Sequence, residues 1–142
     1  MTSRVAHTSV DCRNAYDLSE WWKAVLDYTD LPDDPNLPGH EECMIVSRDG
    51  AHRILFIEVP EGKSVKNRLH FDLEPVEGTR DDELARLLDL GAVEFADHRG
   101  QYGPGTGWVT LLDPEGNELC ILRNEAERTA ASAGPPIDAP AE

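Results

Sequence analysis

The chain has 142 residues, 39% of them hydrophobic, and a formal net charge of −15 at pH 7. A chain of this length buries about two-thirds of its unfolded surface, so a single self-sufficient core is expected without staples. The charge argues against a nucleic-acid reader, which carries a basic footprint. No apolar run approaches the roughly 20 residues of a membrane span. Cys12, Cys43 and Cys120, with no CxxC pair, form neither a disulfide framework nor a zinc knuckle.

The start, Met1-Thr2-Ser3-Arg4-Val5, has no apolar stretch. The expectation is therefore a cytoplasmic protein without a secretory leader. A first strand opens at Arg4-Val5-Ala6-His7-Thr8-Ser9-Val10-Asp11. Leu18, Trp21, Trp22, Val25 and Leu26 then recur at the spacing of one helical stripe, with Asn14 placed to cap it and Asp17 in its first turn. The two tryptophans are read as core. Residues 31–39 hold three prolines and a glycine and make a surface loop. Residues 42–47 and 53–59 are β-compatible and flank Asp49-Gly50, a strong hairpin signal.

The second half repeats the programme. A strand carries Arg68-Leu69-His70-Phe71-Asp72-Leu73-Glu74, so the motif His-x-x-x-acid that begins at His7 returns at His70, 63 residues on. Thr79 caps a helix striped by Leu84, Leu87 and Leu88, and Gly91 stands where a left-handed cap would stop it. Strands are predicted at 93–97, 107–112 and 118–122, with Asp113-Pro114-Glu115-Gly116-Asn117 as the last turn. The glycine-rich stretch 100–107 lacks a Lys-Ser/Thr ending and leads into a strand, so it reads as a rim loop and not a phosphate cradle. His40, His52 and His98 are read as solvated surface histidines, and Cys12 and Cys43 as small buried groups. Residues 125–142, rich in Ala, Pro and Glu, are predicted to be a disordered acidic tail, with a helical start allowed.

The order is βαβββ taken twice, an α+β arrangement in which helices cover one face of each sheet. Side chains alternate along a strand. His70 therefore shares a face with Arg68, Asp72 and Glu74, while Leu69, Phe71 and Leu73 turn toward the helix. His7 shares a face with Val5, Ser9 and Asp11.

With the two histidines heading two modules, with Lys66-Asn67-Arg68-Leu69-His70-Phe71-Asp72-Leu73 and Leu87-Leu88-Asp89-Leu90-Gly91-Ala92, and with residues 108–120 closing on Asp113-Pro114-Glu115-Gly116-Asn117-Glu118, the chain resembles the vicinal oxygen chelate superfamily. Within that superfamily it is most similar to the glyoxalase-like domains of the glyoxalase and bleomycin-resistance group. The resemblance implies one domain over residues 1–124, with modules at about 4–61 and 66–123. These are expected to fold into an open eight-stranded cup, the glyoxalase/bleomycin resistance/dihydroxybiphenyl dioxygenase fold, with a ligand pocket inside. It further implies a homodimer, formed with or without exchange of modules.

Enzymes of this superfamily bind one divalent metal through the first and last strands of each module. The resemblance places His7 and His70 at the first-strand positions. At the last-strand positions it places Phe56, with Glu58 two residues on, and Cys120, with Glu118 two residues before. Two readings follow. One is a binding module without an obligatory metal that captures a small cationic or aromatic molecule, lined by Phe56, Asp72, Tyr102, Trp108 and Cys120. The other is a lyase, isomerase or dioxygenase in which His7, His70 and Glu118 hold zinc, iron, nickel or manganese, with Cys120 as an alternative donor and Glu58 and Glu118 as the catalytic carboxylates. A metal-independent acid/base enzyme using Asp72, Glu74 or Glu58 is a third.

Overall fold

The computed structural model describes residues 1–130. They fall into two compact units, Met1–Ser64 and the segment from Val65 onward. The first contains β1 (Thr8–Cys12), α1 (Ala15–Leu26), β2 (Thr29–Asp30), β3 (Glu42–Val46) and β4 (Arg53–Glu58). The second contains β5 (Phe71–Leu73), α2 (Arg80–Asp89), β6 (Val93–Asp97), β7 (Val109–Leu112), β8 (Glu118–Ile121) and α3 (Glu125–Ala130). Both units are βαβββ, and their sheets have matching orders, β1-β4-β3-β2 and β5-β8-β7-β6. In each, the first strand runs parallel to the last and the other pairs are antiparallel.

Local signals set these boundaries. The Asn14 side chain accepts the Asp17 amide at 2.9 Å, and α1 buries Leu18, Ser19, Trp22 and Val25 while Trp21 stays half-exposed. At α2, the Thr79 hydroxyl accepts the Asp82 amide at 3.1 Å and the Asp82 carboxylate accepts the Thr79 amide at 3.2 Å. Each side chain thus satisfies an amide that the helix itself leaves unpaired. Thr79→Ala should therefore cost about 1 kcal/mol, read as a lowered urea midpoint with an unchanged slope. The far end of α2 closes with Ala92 donating to the Leu87 carbonyl and Gly91 to that of Leu88, both at 3.0 Å, with Gly91 at φ +105°. That pattern puts a left-handed residue just beyond the helix, where glycine is least strained.

β2 has only two residues, too short for a period to show in the sequence. Residues 125–130 of the predicted tail form α3, whose Glu127 carboxylate accepts the Asn124 amide and the Arg80 amide at the start of α2. The rest of that expected tail, 131–142, lies outside the described residues. Among the described residues no helix is long and apolar enough to cross a membrane.

The two sheets differ in how their faces are used. In the first unit Ile54, Phe56, Cys43 and Ile45 are all fully buried on one face of β4 and β3, and register pairs Cys43 with Phe56 and Ile45 with Ile54. This is the α1 side, because the Cys43 thiol meets the Ser19 hydroxyl and the Glu58 carboxylate accepts the Ala15 amide at 3.0 Å. Leu55 and Ile57 occupy the opposite face. In the second unit Val109, Leu111, Leu119 and Ile121 form the apolar face against which α2 sets Leu84 and Leu87. The opposite face carries Asp72, Cys120 and Thr110 side by side.

Candidate functional site in the second unit

β5 ends the segment that carries His70, and its register on β8 sets Asp72 beside Cys120, which in turn faces Thr110 on β7. His70 Nδ1 and Asp72 Oδ1 are 3.0 Å apart, and Cys120 Sγ shares a hydrogen bond of 3.3 Å with Thr110 Oγ1. One ligating atom each from His70, Asp72 and Cys120 lies within 4.8 Å of the others. The cluster grades from surface to interior: the side chains of His70 and Asp72 are 14% and 33% exposed, whereas Cys120 is fully buried. Burial pushes the Cys120 thiol up from 9.0 to about 11, and the nearby negative charge of Asp72 adds to the effect. At neutral pH the thiol is therefore protonated.

The segment leading to His70 is fastened from below. Glu118, itself buried, accepts the Asn67 amide at 3.0 Å, and the Asn67 side chain donates to Asn117 Oδ1 at 3.0 Å. Strand alternation gives Glu118 the same face as Cys120, as expected, yet its carboxylate holds the backbone three residues before His70. It lies outside the His70–Asp72–Cys120 cluster.

A family model for the glyoxalase-like domain matches residues 7–122. The chain belongs to the glyoxalase-like domain family. Solved structures agree on the fold. The fosfomycin resistance protein FosX from Mesorhizobium loti is 14% identical with a TM-score of 0.60, over 92% of this chain and 99% of that one. FosX from Listeria monocytogenes, in a complex with Mn(II), is 13% identical with a TM-score of 0.63, over 90% and 96%. Protein ATC0852 from Agrobacterium tumefaciens is 16% identical with a TM-score of 0.63, over 85% and 97%. No curated protein matches the sequence.

This glyoxalase-like chain places the remaining sequence candidates as follows. His7 is exposed, one residue before β1 in the first unit. Phe56 does not line the polar surface: it is fully buried on the α1 side of β4, a register of one from the face expected of it. Glu58 on that same side caps the first turn of α1, so its carboxylate is engaged in holding the helix. His52, read as a solvated histidine, instead joins three elements, with Tyr28 Oη 2.7 Å from its Nδ1 and Thr8 Oγ1 3.4 Å from its Nε2.

Trp108 and Tyr102 belong to the rim loop. Trp108 is fully buried, stacked with His98 at 4.7 Å and with Tyr102 at 6.1 Å between ring centroids. It is core, whereas Tyr102 is 43% exposed. Among the described residues the Trp108 indole nitrogen is the one buried side-chain polar atom without a hydrogen-bond partner. Arg80, buried in the first turn of α2, donates to the Thr106 and Gly107 carbonyls at 3.0 and 2.8 Å and so ties this loop to the helix.

Arg99 extends the same tie, donating to both Asp97 oxygens at 3.0 and 2.7 Å and to Asp81 at 3.2 Å. Those hydrogen bonds hold the Asp97 carboxyl down from 3.8 to about 2. A carboxyl depressed in the folded state stabilises above its unfolded value and loses that contribution as pH falls through its folded value. The window is therefore from 3.8 down to about 2. Asp97 is more than a third exposed, so screening should keep the effect below about 1 kcal/mol. Urea midpoints of wild type and Asp97→Asn are expected to differ at neutral pH and converge on acidification across that window.

The donor set can be tested against the metal that the family fold implies. Glu118 is committed to the Asn67 amide, Glu58 to α1, and β4 offers Leu55 and Ile57 on its other face. A set built on those carboxylates does not fit. His70, Asp72 and Cys120 do supply nitrogen, oxygen and sulfur donors within reach of one another, which suits a borderline-soft cation.

Proposed function

We propose that this glyoxalase-like protein binds a small molecule on the polar face of the second unit's sheet, at His70, Asp72 and Cys120, without requiring a metal. The observation that carries this reading is the graded cluster itself. Two polar groups, a largely covered His70 and a more exposed Asp72, are held over a buried neutral thiol, on a sheet whose other face is sealed by apolar packing. Ligand sites combine apolar surroundings with a few placed polar groups of this kind. The carboxylates that a metal enzyme would use for proton transfer, Glu58 and Glu118, serve backbone amides instead, which favours capture over catalysis.

The net charge of −15 favours cationic ligands, and exposed Tyr102 offers a stacking surface. Fosfomycin enters the panel of test compounds because two neighbours are described as fosfomycin resistance proteins. Metal-depleted protein would be screened against cationic and aromatic compounds by melting shift and calorimetry, alongside Asp72→Asn. Heat with wild type that falls at least about tenfold in affinity for the variant supports the reading, a loss of the size expected for one charge-assisted contact. A panel without heat or shift contradicts it. A homodimer in the cytoplasm is part of the proposal, and light scattering on the purified protein tests the dimer.

The second reading is a metal-dependent enzyme acting on vicinal oxygens. The proximity of three donors of different kinds favours it.

A further inference from the structure

We infer that His70, Asp72 and Cys120 form a zinc-selective site contained within the second unit, in which Cys120 sets the preference for zinc over manganese. The inference rests on the reading of this face as the functional surface: the small molecule does not require the ion, but zinc, where it is supplied, takes the same three side chains, a set that departs from one spanning His7, His70 and Glu118.

Geometry supplies the first argument. The three candidate atoms lie within 4.8 Å of one another. Ligands of tetrahedral zinc sit about 2.0 to 2.3 Å from the ion and hence roughly 3.5 Å from each other, so side-chain rotations of about an ångström close the set. The side chains of His70, which precedes the three-residue β5, and of Asp72, at its centre, are partly exposed and can rotate to make them, while Cys120 is buried in β8. Solvent reaches the cluster from the Asp72 side, which gives an ion its path. Three protein donors leave one tetrahedral position for a group from solution.

Charge and softness supply the second. As the Zn–S bond forms, the S–H bond breaks and its proton passes to solvent. The resulting thiolate and the Asp72 carboxylate together balance the two charges of the ion, and neutral His70 adds none. Thr110 Oγ1, 3.3 Å from Sγ, then donates its hydrogen to the thiolate and orients it. A thiolate donor favours zinc, whereas manganese favours all-oxygen or oxygen–nitrogen sets. Cys120 is therefore a specificity-determining residue.

The test uses full-length, metal-depleted protein titrated separately with zinc chloride and manganese chloride by calorimetry, with elemental analysis of the dialysed product. About one zinc per chain is expected, bound at least about 100-fold more tightly than manganese. Cobalt(II) loaded in place of zinc should give a near-ultraviolet sulfur-to-cobalt charge-transfer band in wild type and none in Cys120→Ser. Cys120→Glu should narrow the zinc-to-manganese ratio at least about tenfold. Zinc that fails to bind, or cobalt that binds wild type without the sulfur band, overturns the inference, and neither result depends on a variant folding. The ligand panel is run on metal-depleted protein, so failure of the zinc site and failure of the ligand reading are separate results.

Discussion

Phe56→Ala is expected to lower the unfolding free energy by about 3 to 5 kcal/mol, the range for emptying a fully enclosed aromatic site. Phe56 is among the largest fully buried side chains and sits between β4 and α1, flanked by Ile54 on its own strand and by Cys43 and Val10 in register. Strand β4 lies between β1 and β3 and is fixed on both sides, so it has little room to collapse into the space. Leu55→Ala, on the opposite and partly exposed face, should cost clearly less. Urea unfolding of both variants decides the assignment of faces. If Leu55→Ala were the costlier change, Phe56 would belong to the other face and the account of the first unit would be wrong.

Gly107→Ala should be of similar severity, on the order of 3 kcal/mol or more, because it combines backbone strain with overpacking against main chain. Gly107 lies at φ +91°, and an added Cβ would fall 2.0 Å from the His98 carbonyl oxygen and 2.9 Å from the Arg99 Cα. That contact is with backbone held in the β6–β7 pairing, where His98 donates to the Trp108 carbonyl at 2.8 Å. Relief therefore requires the loop to detach from β7, which would open the stack of His98 and Tyr102 on Trp108. Alongside the lost stability, the tryptophan emission should shift to the red. Gly103→Ala serves as comparison: it also has positive φ but open space around it, and so carries the strain without the clash. Equal effects at the two glycines would contradict the close approach.

Much of the fold was legible because local chemistry and tertiary structure agree. Asn14 and Thr79 cap the helices they were expected to cap, Gly91 closes α2, and β6 spans the predicted 93–97. In the second unit alternation separated the faces within β5, at Phe71, Asp72 and Leu73, whereas Leu69, expected to turn toward the helix, precedes the strand and is exposed. Asp72 and Cys120 are polar or small among apolar neighbours, so the period of two separates the faces cleanly. The His70–Asp72–Cys120 cluster follows once β5 is laid parallel to β8.

The first unit was less legible for a physical reason. Ile54-Leu55-Phe56-Ile57 is apolar on both faces, so periodicity cannot say which side Phe56 occupies. A usable signal was Glu58, since a carboxylate at the end of β4 suits the amides at the start of α1. Arg80 was missed for the opposite reason. A basic residue at the first position of a helix opposes the helix dipole. Here that local cost is offset by two buried carbonyls, Thr106 and Gly107, which its guanidinium satisfies. The engagement of Glu118 with Asn67 joins positions 51 residues apart through a loop amide, a contact that no strand pattern encodes.

The most direct test of the central claim is an amide NMR titration of labelled, metal-depleted protein with whichever compound of the panel gives the largest melting shift. The account predicts perturbations concentrated at residues 70–73, 110 and 118–121, and their loss in Asp72→Asn. Perturbations confined to α1, β3 and β4, with β5 and β8 unmoved, would contradict it.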